Sequence, residues 1–217
     1  MTGTGKTDII QQLPSGVDLE GAANHKGSSF GRPLDGQPVQ INFENRIALD
    51  ILKLEDQQPD ATIILEDESR NIGARHLPHN FADRMAESKF VVIDMNFEER
   101  LERLWQEYVI ERHQKTMAYF GETGEQEFAS YLRESLLRVK KRLGGQRTKE
   151  LLASMDNAIA IQHTDNFAGH RDWLAALTKE YYDPMYSYQL EKKKELVIFR
   201  GVRSEVIDYL SDHSEPT

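Results

Sequence analysis

Gly3-Thr4-Gly5-Lys6-Thr7 constrains this chain more than any other stretch. Gly5, Lys6 and Thr7 satisfy the last three positions of the phosphate-binding pattern G-x-x-x-x-G-K-[ST], whose first glycine would fall one residue before Met1. Glycines let the backbone curl so that successive N–H groups face one phosphate cluster. The lysine meets the outer phosphates as a point charge, and the threonine hydroxyl can hold Mg²⁺. The helix that follows turns its positive end to the anion. Asp8-Ile9-Ile10-Gln11-Gln12-Leu13 reads as that helix and Pro14-Ser15-Gly16 as its stop. The competing reading is a flexible Gly/Thr-rich terminus before an ordinary helix.

The 217 residues suffice for one large or two small domains, and 39% hydrophobic content with 9 Phe, 8 Tyr and 2 Trp can build a core. The net charge of −9 makes the chain as a whole a poor nucleic-acid binder, so such binding needs a local basic patch. The absence of cysteine excludes disulfides, thiolate zinc sites and thiol nucleophiles from these residues. No apolar run approaches the ~20 residues of a membrane span. The polar, glycine-rich first residues do not read as a signal peptide, and a cytoplasmic location without membrane contact is expected.

Along the chain, Gly16 to Glu20 reads as a short strand entering a polar loop, Gly21 to Pro33. A helix is expected over Gln40 to Leu54, with Phe43, Ile47, Ile51 and Leu54 on one face. Ala61 to Leu65 and Lys89 to Asp94 are apolar runs of the kind buried in parallel sheets. Strands alternating with helices predict βαβ crossovers. From Phe97 onward the periodicity is helical, through Phe128, Tyr131, Leu132, Leu136, Val139 and Leu143 to a break at Gly144-Gly145. Leu196 to Phe199 returns to strand and Ser204 to Leu210 to helix, with a frayed tail from Ser211. The expected fold is α/β: a phosphate-loop NTPase-like parallel sheet flanked by helices, over 1–110 plus 195–212, with a mostly helical segment at 111–194.

Five constellations can carry chemistry. Glu66 or Asp67, at the end of the Ala61 to Leu65 run, is placed to hold Mg²⁺ beside Thr7, with Glu68 an option if the strand has already turned. Asp18 and Glu20 could orient a hydroxyl or a metal-bound water. In the loop after them, Lys26, Ser28, Ser29 and Arg32 could meet phosphate, and His25 could donate a proton or cap a turn. Arg70, in Arg70-Asn71-Ile72-Gly73, could neutralise phosphate charge or form a loop salt bridge. Arg138, Lys140, Lys141, Arg142, Arg147 and Lys149 form a basic stretch with no acid among them. It could track a nucleic-acid backbone or be a solvated helix face. Tyr181 to Gln189 is aromatic-dense, which suits core packing or a base-stacking pocket.

Several unusual stretches then agree in order with one family. Gly-Thr-Gly-Lys-Thr, Asp18-Leu19-Glu20-Gly21, His25-Lys26-Gly27-Ser28-Ser29-Phe30-Gly31, Phe43-Glu44-Asn45, Leu65-Glu66-Asp67-Glu68-Ser69-Arg70 with Ile72-Gly73, and Tyr181-Tyr182-Asp183-Pro184-Met185-Tyr186 followed by Tyr188 to Lys193 resemble the tRNA 2-selenouridine synthases. In that family this region is the carboxy-terminal half, behind a rhodanese-like domain with a catalytic cysteine. Lys26 stands where the family commonly has arginine. The resemblance implies a two-stage reaction at the wobble uridine of certain tRNAs. Geranyl diphosphate geranylates the sulfur of 2-thiouridine, and selenophosphate, supplied by a partner enzyme, then replaces that sulfur with selenium. It implies that Gly3, Thr4, Gly5, Lys6 and Thr7 grip the diphosphate and that the basic stretch holds the anticodon arm.

Two other classes stay open: an ATP- or GTP-dependent small-molecule kinase of the same fold, and a tRNA-binding module for a catalytic partner. The rhodanese-like domain, in cis or in trans, is expected for the selenium step. A sheet without the strand that feeds the phosphate loop is expected to leave an open apolar slot and a marginally stable chain.

Overall fold

The computed structural model describes residues 1–214. The chain divides into two compact units, Thr4–Met95 with the segment from Lys192 onward, and Met1–Gly3 with Asn96–Glu191. The sequence placed this boundary at residue 110. It falls earlier because Asn96 already starts the helical part, its side chain accepting the Glu99 amide at 2.8 Å as a helix cap.

The first unit is α/β, as expected. Its strands are β1 (Gly16–Val17), β2 (Ile64–Leu65), β3 (Asn71–Ile72), β4 (Arg75–His76), β5 (Phe90–Ile93) and β6 (Val197–Gly201). β1 and β2 pair in parallel, with Gly16 opposite Ile64 and Val17 opposite Leu65. β5 and β6 also pair in parallel, with an irregularity between Phe90 and Val91 that puts Val91 opposite Phe199 and Ile93 opposite Gly201. β3 and β4 form an antiparallel hairpin closed by Gly73 at φ 62°.

The apolar runs expected to be fully buried are half-buried. The reason is a cavity of ≈ 540 Å³ lined by Ile64 and Leu65 from β2, Val91 and Ile93 from β5, and Ile9 and Val206 from flanking helices. Two core clusters hold the unit. Ile9, Leu13 and Val206 pack with Ile64, Val91, Ile93 and Phe199. Val17, Leu19, Phe43, Ile47, Ile72 and Leu77 form the other. Helix Gln40–Gln57 presents Phe43, Ile47 and Leu54 inward, with Ile51 packed alongside, as its period requires.

One expected strand is corrected. The run read as a strand through Glu20 stops at Val17. Asp18 takes an extended backbone and its carboxylate accepts the Gly21 amide at 2.6 Å, which starts the short helix Leu19–Ala23. A capping carboxylate at that position competes with the sheet and wins.

The second unit is helical. Phe97–Trp105, Arg112–Phe120, Gly124–Arg138, Gly145–Ile161, His170–Leu177 and Asp183–Lys192 are its main helices, with π-helical turns at Gln106–Glu111 and Thr178–Tyr182. Leu104, Val109, Phe128, Leu132, Leu136, Met155, Trp173 and Leu174 are its buried centre. Arg100, buried, makes two 2.7 Å hydrogen bonds to Asp183. The helix expected to reach Gly144 is interrupted at Val139, where ψ flattens to −1°, before the short turn Lys140–Leu143. Back in the first unit, Ser211 to Ser214 continue helix Arg203–Ser214 rather than fraying, and the rest of the expected tail, 215–217, lies outside the described residues.

Glu66 ties β2 to helix Leu19–Ala23. Only 1% exposed, it accepts the Leu19 amide at 3.0 Å. Burial pushes its carboxyl up to about 8; the Leu19 amide works the other way, and the nearby Asp18 adds to the rise. The folded chain therefore keeps a proton that the unfolded chain has already lost. Stability from this group is full below the ordinary carboxylate pKa and is lost as pH rises towards 8, at about 1.4 kcal/mol per pH unit. Glu66→Gln keeps an acceptor for Leu19 and has no charge to bury. Urea unfolding between about pH 5 and about pH 8 is expected to show a falling stability for the native chain and a flatter profile for the variant.

Candidate functional site

The site is built from the start of the α/β unit. Gly5 sits at φ 71°, a left-handed conformation glycine adopts without strain, immediately before helix Lys6–Ile10. Its carbonyl accepts a hydrogen bond from Arg203 at 3.2 Å, and Arg203 also lies 3.9 Å from Asp8. The Thr7 hydroxyl donates to Glu20 Oε2 at 3.0 Å. The other Glu20 oxygen accepts the Gly27 amide at 2.6 Å. Asp18, beside them, accepts Gln11 Nε2 at 2.7 Å as well as its capping amide.

Glu68 completes the group. Its carboxyl is held above the ordinary range, first by burial; the Lys6 ammonium pulls it down, and Glu20 raises it by charge and by a hydrogen bond. Gly27 lies against the Glu68 carboxylate: a Cβ on it would come 2.1 Å from Glu68 Oε2, and that side chain would have to shift. Lys6, Thr7, Glu20, Gly27 and Glu68 thus surround one position. Two carboxylates and a hydroxyl are hard oxygen donors of the kind Mg²⁺ takes. With Glu68 ionised, two carboxylates facing a single ammonium leave negative charge that a divalent cation would neutralise. The donor set fits such an ion.

The other sequence candidates fall as follows. Gly3 belongs to the helical unit, where its φ of 80° and its closeness to Leu104 exclude a side chain. Thr4 is buried at the start of the α/β unit. Asp67 is paired with Lys193 at 2.5 Å, so of the acids after β2 it is Glu68 that faces Lys6, while Glu66 holds the Leu19 amide. Lys26, Ser28 and Ser29 lie in a tight loop: the Lys26 amide donates to the Gly31 carbonyl at 3.2 Å, the Ser28 amide to the Lys26 carbonyl at 2.6 Å, and Phe30 is buried. His25 packs on Gly73, where a Cβ would meet its ring at 2.6 Å. Arg70 pairs with His79.

The basic stretch lies in the helical unit and is partly committed. Arg147 is held by Glu180 and Glu150, Arg138 by Glu134 and Ser135, and Arg142 reaches Met185 Sδ at 3.4 Å. Lys140, Lys141 and Lys149 are exposed. Arg203 was missed from sequence; the signal was a basic residue opening the helix directly after the last strand. Glu68 was reachable only by knowing that β2 ends at Leu65, so that the chain has turned before it.

Comparison with known proteins gives the family. The family described as "tRNA 2-selenouridine synthase AAA domain" matches residues 1–217. A curated tRNA 2-selenouridine synthase from Salmonella enteritidis PT4 (strain P125109) is 47% identical over 211 residues, covering 96% of this chain and 58% of that protein. The chain thus spans little more than half the length of this relative. No solved structure matches the chain. From end to end, this chain belongs to the tRNA 2-selenouridine synthase AAA-domain family.

Proposed function

We propose that this chain is the diphosphate-gripping and tRNA-holding part of a tRNA 2-selenouridine synthase, acting at the wobble uridine. The observation that carries the reading is the convergence of Lys6, Thr7, Glu20 and Glu68 behind the left-handed Gly5. Lys6 meets the outer phosphate of geranyl diphosphate, and the amides that follow Gly5 face the anion. Mg²⁺, held by Thr7, Glu20 and Glu68, would supply the charge that offsets a departing diphosphate. Arg203, on the Gly5 carbonyl, fixes the turn from which these amides point. The 2-thiouridine sulfur then attacks the allylic carbon as the carbon–oxygen bond to diphosphate breaks. The exposed Lys140, Lys141 and Lys149, with Arg142, meet the anticodon arm.

On this reading the selenium step, with selenophosphate, falls to a cysteine-bearing rhodanese-like domain outside these residues. The chain itself contains no cysteine to carry it. A soluble, cytoplasmic setting goes with a tRNA substrate, and no helix among the described residues is long and apolar enough to cross a membrane.

Lys6→Ala, in a chain that also carries the rhodanese-like domain, is expected to lower geranyl transfer by about 100-fold or more while tRNA binding is unchanged. Transfer that survives the substitution would remove the diphosphate assignment. Following which of geranyl diphosphate and ATP is consumed separates this reading from a kinase. Replacing Lys140, Lys141 and Arg142 by alanine is expected to weaken tRNA binding and lower the slope of log affinity against log salt by about 2. An unchanged slope would remove the basic stretch from the interface.

A further inference from the structure

The helical unit brings together three side chains that the proposed function does not use. His113 lies on helix Arg112–Phe120, Glu125 in the first turn of helix Gly124–Arg138, and His163 in the turn after helix Gly145–Ile161. His113 Nε2 lies 2.8 Å and His163 Nε2 3.2 Å from the same oxygen, Glu125 Oε1. All three potential ligand atoms fall within 4.8 Å of one another. A tetrahedral ion with bonds of about 2.1 Å has ligands about 3.4 Å apart, so small side-chain adjustments would admit one.

The carboxylate is oriented from behind. Its other oxygen, Oε2, accepts Gln162 Nε2 at 2.8 Å. Gln162 Oε1 lies 3.2 Å from His170 Nε2, and His170 Nδ1 accepts the Trp173 indole N–H at 3.0 Å. The indole can only donate, so Nδ1 is the bare nitrogen and Nε2–H donates to Gln162. Burial holds the His170 imidazole down at about 4, so it stays neutral in this role. The relay Trp173–His170–Gln162–Glu125 thus leaves Oε1 to the imidazoles of His113 and His163. Outer hydrogen bonds of this kind orient the ligands of protein metal sites. Phe128 and Phe167 pack edge-on and tilted against the His113 ring and fix its plane. The His163 side chain is 62% exposed, which gives an ion a path from solvent.

We propose that His113, Glu125 and His163 form a binding site for a borderline divalent cation, Zn²⁺ by donor type, with a fourth position open to water. Two imidazoles and one carboxylate suit Zn²⁺ and do not suit Mg²⁺, so this site is chemically distinct from that at Thr7. The ion would clip three segments of the helical unit together.

The test is calorimetric titration of the tag-free chain with Zn²⁺ alone, with Co²⁺ as a spectroscopic substitute. One Zn²⁺ per chain, four-coordinate visible bands with Co²⁺, and a melting temperature raised by Zn²⁺ are expected. His163→Ala, at an exposed position, is expected to abolish the binding. Gln162→Ala is expected to weaken it about 10–100-fold, and His213→Ala, in the other unit, to leave it intact. Absence of saturable Zn²⁺ binding, or binding that survives either His163→Ala or Glu125→Gln, would overturn the proposal.

Discussion

The Glu20 carboxylate is the joint on which the α/β unit's amino end depends. One oxygen takes the Thr7 hydroxyl at 3.0 Å, the other the Gly27 amide at 2.6 Å. The helix after Gly5 and the loop after Asn24 are therefore joined through this side chain. Its position follows from events a few residues earlier. β1 stops after Val17, Asp18 caps a short helix, and that turn of helix aims Glu20 back at Thr7. Had the strand continued, Glu20 would have followed the sheet's alternation instead.

Charge accumulates around this joint. Glu20 and Glu68 share the space next to Lys6, and the buried Glu66 stands behind them holding Leu19. Burial without full compensation is what raises Glu66 and Glu68 above ordinary carboxylates. On the proposed reading, a divalent cation with an anion on it would offset the negative charge that these carboxylates gather. The same physics explains why the exposed pair Asp94–Arg200 moves the other way: the guanidinium hydrogen-bonds the carboxylate and holds it low.

Much of the architecture was legible because each local signal had one physical solution. Phe43, Ile47 and Leu54, like Phe128, Leu132 and Leu136, recur at a period that only a helix buries on one side. The membership of the family was equally legible in the order of its rare stretches. The details of the site were not. Which acid after β2 faces Lys6 depends on where the strand ends, and apolar Ala61 to Leu65 reads as longer than the two residues that pair. Arg203 and Lys193 reach residues nearly two hundred and more than a hundred positions away, respectively. The basic stretch looked uniform in sequence, yet Glu180, 33 positions away, neutralises Arg147. Long-range pairing of this sort leaves no local pattern.

The most direct measurement is an amide NMR titration of this chain with inorganic pyrophosphate and Mg²⁺. The account predicts shifts concentrated at Gly5, Lys6, Thr7 and Gly27, with the Glu68 carboxyl losing its proton as the cation enters. Shifts at other residues with these four unmoved would contradict it.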